Sequence, residues 1–203
     1  MAAQDCRERL IDATLSLCTR CGFEVTTIEQ IAAAADVTPS DFARYFASKD
    51  AVVMFIVDDL LQATCSALKN VEVAAGLEQA LLIATKAVVT GILDGRGVIT
   101  RDRMLAMAEI VAAEPNLRKQ VSLARKRVLT QALADRMGVA AENRRVRQAV
   151  TMWSAIAAGA YLGRHGLAAH YDPRQDNRLT ERGLAELAAS FAEVMGKAPS
   201  RRS

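Results

Sequence analysis

Aromatic side chains are scarce in this chain of 203 residues, with five Phe, three Tyr and one Trp, and no stretch alternates apolar and polar residues with a period of two. Sheets draw on β-branched and aromatic residues in that alternation, so a strand-built core is excluded and an Ala- and Leu-rich, all-α fold is expected. Histidine is scarcer still. His165 and His170 are the only two, five residues apart near a helix end, and such a pair is far more often surface or core than metal ligand, so no metal and no cofactor are expected. The glycine-led signatures are missing as well: there is no G-x-S-x-G, no Walker loop and no G-x-G-x-x-G, and Gly95-Arg96-Gly97 lacks a third glycine and a preceding strand. Nucleophile-elbow, P-loop and dinucleotide chemistry are thereby excluded, and no enzyme is expected.

The N-terminus places Asp5 and Glu8 among its first bases, Arg7 and Arg9, and carries no uninterrupted apolar stretch, so it does not read as a signal peptide. The longest apolar run, Ala149 to Gly163, is closed by Arg147 and Arg164 and is shorter than a bilayer span. It reads as a buried helix, with no membrane partner and a cytoplasmic location.

Apolar residues make up 51% of the chain. That is ample for a core in one or two domains. Between Arg9 and Val52 three short helices announce themselves. In the first, Leu10, Thr14, Leu17 and Cys21 form one stripe with Ile11, Leu15 and Cys18 beside it, the spacing of a one-sided amphipathic helix that Gly22 stops. Thr27 and Gln30 make a capping box for a second helix whose buried side is Ile28, Ile31 and Ala32. Thr38 caps a third, Pro39 suits its first position, and Phe42 and Phe46 point into the same small core. Ser48 and Asp50 then open a fourth, through Val52, Val53, Ile56 and Leu60. The second and third helices, joined by the Ala35 to Val37 turn, have the layout of a helix-turn-helix whose second helix enters a major groove.

The run T-T-I-E-Q-I-A-A-A-A-D-V-T-P-S-D-F-A-R-Y-F-A-S-K-D-A-V resembles the N-terminal domain of the tetracycline-repressor (TetR) family of bacterial one-component regulators. Its T-T-x-x-x-I-A, Y-F and S-K elements carry the likeness, over roughly the first quarter of the chain. The resemblance implies a three-helix DNA-binding head and a larger helical body that dimerises and binds a small molecule. It also implies that Thr27, Tyr45 and Lys49 face DNA phosphates, and that Thr38, Pro39, Ser40 and Arg44 lie on or near the base-facing side of the third helix. Plain capping by Thr27 and Thr38, a partly buried Tyr45 and a solvated Lys49 are the structural alternatives.

The sequence departs from the family where Asp36 replaces the usual Gly, Asp41 a small hydroxyl residue and Ala43 an aromatic DNA-contacting residue. Residues 1–50 carry five bases against eight acids, a net −3. Phosphate neutralisation supplies most non-specific affinity, so such a head is expected to bind DNA weakly but specifically, with Asp41 placed to accept a hydrogen bond from a cytosine amino group.

Beyond the head, punctuation predicts helices over 48–70, 77–94, 101–113, from Pro115 to Met137, over 142–167 and over 180–196, about nine in all. The expected organisation is a helix-turn-helix domain over 1–47, a helical effector-binding and dimerisation domain over 48–196 and a disordered tail over 197–203. In the resembled family the last two long helices pair with their copies. Here Ala155, Ala158, Gly159 and Gly163 would permit close approach and Leu184, Leu187 and Phe191 would anchor a homodimer. Met104, Met107, Ile110, Leu123, Val128, Met152, Trp153 and Ile156 supply the apolar lining of an effector pocket. The stretch from Arg118 to Arg147 holds nine bases against Asp135 and Glu142, a local +7. It reads either as a solvated face or as a surface for an anionic partner, either DNA flanking the operator or a phosphate-bearing effector. In the latter case Arg125, with Lys126 and Arg127, would hold phosphates beside the pocket.

These features add up to a ligand-responsive, DNA-binding regulator, a repressor released from a palindromic operator by a hydrophobic or acyl-CoA-like effector. Two other readings stay open: a helical sensor with weak or lost operator binding, and a redox or metal sensor built on Cys18 and Cys21.

Overall fold

The helix starts in the first fifty residues behave as their caps dictate. In the computed structural model, which describes residues 2–165 with side chains placed for 5–154, α1 (Ala2–Cys21) is followed by α2 (Ile28–Ala34), α3 (Pro39–Tyr45) and α4 (Lys49–Lys69). The Thr27 hydroxyl accepts from the Gln30 N–H at 3.2 Å while the Gln30 side chain accepts from the Thr27 N–H at 2.9 Å, the capping box read from the sequence. Ser48 accepts from the Ala51 N–H to open α4. Each such cap satisfies a backbone donor that the helix itself leaves unpaired.

The remaining elements are α5 (Leu77–Leu93), α6 (Arg101–Ala113), α7 (Pro115–Met137) and α8 (Arg144–His165), so the described residues hold eight helices and no strand. The predicted helix over 180–196, with Leu184, Leu187 and Phe191, lies outside the described residues, as do the 166–179 link, the 197–203 tail and the side chains of Ala155, Ile156, Ala158, Gly159 and Gly163.

Three helix ends close in the same way. The Val139 N–H reaches the Ala134 carbonyl and the Gly138 N–H reaches Asp135, with Gly138 left-handed at φ 64°. Arg96 and Gly95 repeat the pattern on Gly91 and Ile92. Val37 and Asp36 repeat it on Ala32 and Ala33, with Asp36 the one non-glycine at positive φ, 53°, among the described residues. The motif needs a left-handed residue where glycine is most at ease, so Asp36 is a strained substitute. Gly97 answers a different demand: a Cβ there would lie 2.4 Å from the Ile92 side chain.

α4 is the central helix, burying Val52, Val53, Ile56, Val57, Leu61 and Leu68 against α1, α5 and α7. The Pro39–Lys69 stretch contains an apolar window long enough to cross a membrane, but it is two helices interrupted at Phe46–Ser48, and the apolar side of α4 is spent on its neighbours. α7 runs parallel to it, since the Gln120 amide donates to Asp50 at 3.0 Å near the start of α4 while Arg136 donates to the Leu68 carbonyl at 2.9 Å at its end. The core is continuous from Leu10, Ile31 and Phe42 in the head to Leu129, Val150 and Trp153 in the body. Each fully buried side chain of that size contributes about 1.5–3 kcal/mol of transfer free energy.

Candidate nucleic-acid interface

Two phenylalanines set the orientation of α3. Phe42 is wholly buried, and its ring centroid lies 6.0 Å from that of Phe46, which meets Phe55 edge-on at 5.9 Å. With that face inward, Thr38, Pro39, Ser40, Ala43 and Arg44 are left exposed, and Asp41 and Tyr45 half-buried. The helix thus presents a small, mostly polar surface of four to five side chains, the format in which a recognition helix meets base edges.

Asp41 occupies a place that the sequence reading missed. Its carboxylate accepts from the Thr38 hydroxyl at 2.7 Å and from the Thr38 N–H at 3.2 Å, while the Asp41 N–H donates to the Thr38 oxygen at 3.1 Å. This is a second capping box, and its signal was present as Thr38-Pro-Ser-Asp41, with Asp in place of the usual Glu or Gln. The Thr38 hydroxyl, then the Thr38 N–H, hold the Asp41 carboxyl below the usual aspartate range. In the free protein the carboxylate therefore serves the helix start, and it is also 3.5 Å from Arg44 Nη1. Arg44 in turn donates to the Tyr45 hydroxyl at 3.3 Å and lies over its ring.

Lys49, expected to face a phosphate, has different partners. Its ammonium donates to the carbonyls of Phe23 and Thr26, the latter at 2.8 Å, reaches that of Glu24 at 3.4 Å and sits 4.6 Å from the centroid of the Phe23 ring. An ammonium has three donors, and here three carbonyls surround it. Lys49 thereby ties the start of α4 to the loop that carries Thr27.

The acid count of the head also changes meaning in three dimensions. Arg103, on the first turn of α6, forms ion pairs with Glu8 and with Asp12, the latter at 2.6 Å, and hydrogen bonding to Asp12 raises its already high pKa. Asp50 is turned to Gln120. Three of the eight acids therefore face the body, and Asp5 and Asp36 lie 3.8 and 4.0 Å from Arg9.

The residues expected to line an effector pocket are divided. Met104, Met107, Ile110 and Trp153 are buried, Val128 and Met152 half-buried, and Arg125 stacks over the Trp153 ring with 5.5 Å to its centroid. Leu123 is 59% exposed, on the outer face of α7. A cleft of about 410 Å³ lies elsewhere, at the α5–α6 turn, among Ile92, Val98, Ile99, Arg101 and Arg103. None of the expected lining residues borders it. Cys18 is buried, which raises its thiol pKa, and Cys21 is exposed. A thiol held protonated is a poor metal ligand and nucleophile, and no cluster of three or more metal-ligating side chains occurs among the described residues.

The fold and this exposed short helix define a helix-turn-helix protein with a helical body. Residues 10–54 match the family described as "Bacterial regulatory proteins, tetR family". The head is thus similar to the DNA-binding domain of that family. It is 36% identical over 113 residues to the HTH-type transcriptional regulator TcmR of Streptomyces glaucescens, a match covering 55% of this chain and 50% of that protein. The chain thus aligns with about half the length of this relative. Among solved structures it is similar to SmeT, the repressor of the Stenotrophomonas maltophilia multidrug efflux pump SmeDEF, at TM-score 0.59 and 19% identity over 92% of this chain and 89% of SmeT. It is also similar to Thermus thermophilus FadR, a repressor solved with lauroyl-CoA, at TM-score 0.54 and 20% identity over 97% and 98% of the two chains. At those identities the likeness to the two structures is one of fold.

Proposed function

We propose that the protein is a DNA-binding transcriptional regulator of the repressor type, working in the cytoplasm as a homodimer on a palindromic operator. The observation that carries this reading is α3, locked by Phe42 and Phe46 with Ser40 and Arg44 facing outward beside the exposed Thr27 and Thr38. Ser40 and Arg44 read base edges, with Pro39 placed beside them; Thr27, Thr38 and Tyr45 meet phosphates; Asp41 sets the helix start and can exchange Arg44 for a cytosine amino group on binding. Lys49 acts by holding Thr27 in place. Three acids turned toward the body support retained DNA binding over a sensor that has lost it, because the charge left facing DNA is less negative than the count of residues 1–50. The test is anisotropy with duplexes selected from a random pool. Ser40→Ala or Arg44→Ala should cost about 1–3 kcal/mol at the selected sequence and little elsewhere. A parent protein that binds no duplex at low salt overturns the reading.

For the effector, the reading is an amphipathic, acyl-CoA-like molecule entering beside Trp153. The buried Trp153 indole N–H has no hydrogen-bond partner among the described residues, and the Arg125 guanidinium lies over the same ring. A buried donor without an acceptor costs about 1–3 kcal/mol, which a ligand carbonyl would recover. FadR, of the same fold, was solved with lauroyl-CoA. Calorimetry with fatty acids and their CoA esters tests this, and equal affinity for acid and ester would remove the phosphate-binding part.

A further inference from the structure

The basic stretch from Arg118 to Arg147 is one run in sequence, but its two ends are far apart in space. α7 lies parallel to α4, with Gln120 level with Asp50 and Arg136 level with Leu68. Arg136 is consumed, its guanidinium donating to the carbonyls of Leu68, Val71 and Glu72. Arg144, Arg145 and Arg147 follow it. At about 1.5 Å per residue the helix puts about 26 Å between Lys119 and Arg136, more than twice the screening length of about 8–10 Å at physiological salt. The cations at the two ends of α7 therefore cannot serve one partner site of small size.

Arg118 and Lys119 are at the head-proximal end. They are exposed and flank Gln120, which touches the first turn of α4. That turn also carries Lys49, whose ammonium sits on the Phe23 and Thr26 carbonyls, one residue before Thr27. The start of α7 is thus level with the part of the head that the functional reading turns toward DNA. No acid occupies the first turn of α7, and bases near a helix N-terminus oppose the helix dipole. Helix stability does not account for two cations there. Arg118 has a structural use, donating to the Ala112 carbonyl at the end of α6. Lys119 has no hydrogen-bond or ion-pair partner among the described residues. An exposed cation pair beside a DNA-facing surface, in a head whose own charge is acidic, complements a polyanion that runs past both.

We propose that the start of α7, through Lys119 and Arg118, is a second DNA surface that touches the phosphate backbone flanking the sequence read by α3. The proposal rests on the DNA-binding reading above. It makes the body a contributor to DNA affinity and not only the seat of dimerisation and effector binding. Because the contact is to phosphate, it adds affinity for every sequence equally.

The full-length protein is titrated into a duplex selected by the parent from a random pool and into a scrambled duplex of the same length, from about 50 to about 200 mM salt. Lys119→Gln should lower the slope of log K against log salt by about one, so that its loss of affinity shrinks about three- to fourfold across that range, equally for both duplexes. Lys119→Arg should restore the parent slope, and Lys119→Glu should exceed the Gln effect. The control is the far end of the same stretch: Arg144→Gln with Arg145→Gln removes more charge and should leave the slope unchanged. Variants are compared at matched melting temperature. If the Lys119 variants match a parent that binds DNA, the proposal fails while the regulator reading stands. If the Arg144 and Arg145 changes lower the slope as much, the effect is one of net charge and the proposal fails. A Lys119 effect on binding of a CoA ester with the DNA slope unmoved assigns the face to the effector and also overturns it. A parent that binds neither duplex overturns both readings together.

Discussion

In the head, three helix starts are closed by a partner three residues away, Thr27 with Gln30, Thr38 with Asp41 and Ser48 with the Ala51 N–H, whereas in the body α5 and α7 begin on Gly76 and Glu114 with no side-chain cap. The body is tied instead by arginines that reach across the fold, Arg136 to the end of α4 and Arg103 to α1. Within the body α6 and α8 come near the habit of the head, with Thr100 accepting from the Arg103 N–H and Asn143 from the Arg145 N–H. The difference suits the two tasks of the proposed function. A recognition helix of two turns needs its ends defined by its own sequence, because few neighbours can hold it. Helices that shift on effector binding, as the proposed function requires of the body, are better joined by side chains that can exchange partners.

The comparison can be broken most severely at Phe42. The ring is fully buried where α3 has little other support, so Phe42→Ala should cost about 3–5 kcal/mol in denaturant unfolding. Lys49→Met removes three carbonyl contacts and keeps the apolar stem over Phe23. The expected loss is about 1–3 kcal/mol. The single unfolding midpoint should fall accordingly. A Lys49→Met protein as stable as the parent, with a reduced salt slope on DNA, would return Lys49 to a phosphate role.

Arg103→Met tests the long-range tie. The Arg103 side chain is only 17% exposed, but that of Asp12 is 61% exposed, and solvent screens that half of the pairing. A loss of about 1–2 kcal/mol is therefore expected. Loss of the tie should also separate head and body unfolding into two transitions. Thr38→Ala, which removes a local cap, should cost about 1 kcal/mol and leave the two regions unfolding together. The smallest expected change is a gain. Asp36 is a left-handed aspartate, and Asp36→Gly should stabilise the protein by about 0.5–1 kcal/mol by relieving that strain.

Acid sharpens the same contrast. Hydrogen bonds from Thr38 hold the Asp41 carboxyl below its ordinary range in the folded state. Its contribution to stability is therefore present at neutral pH and is lost as pH falls through the folded-state value. Asp41→Asn should flatten the acid limb of the stability curve, measured by circular dichroism below the usual aspartate range. An unchanged limb would mean that the Thr38–Asp41 cap does not hold in solution.

Helix boundaries were largely legible in the sequence: 101–113 and Pro115 to Met137 agree with Arg101–Ala113 and Pro115–Met137, and the Thr27 capping box is where its spacing placed it. The Asp41 cap is equally legible in its spacing from Thr38, but comparison with a family pattern makes the same residue look like a departure. Nothing in the spacing could have shown Arg103 on Glu8 and Asp12, or Lys49 on the Phe23 loop. A residue and its partner three or four places away are held at a fixed distance by the helical repeat itself, so the sequence alone decides whether a cap or an apolar stripe forms. Residues far apart in the chain meet only where packing sets one helix beside another. That is why the charge of the head, the two ends of the α7 basic run and the direction taken by each long cation were decided by the tertiary structure.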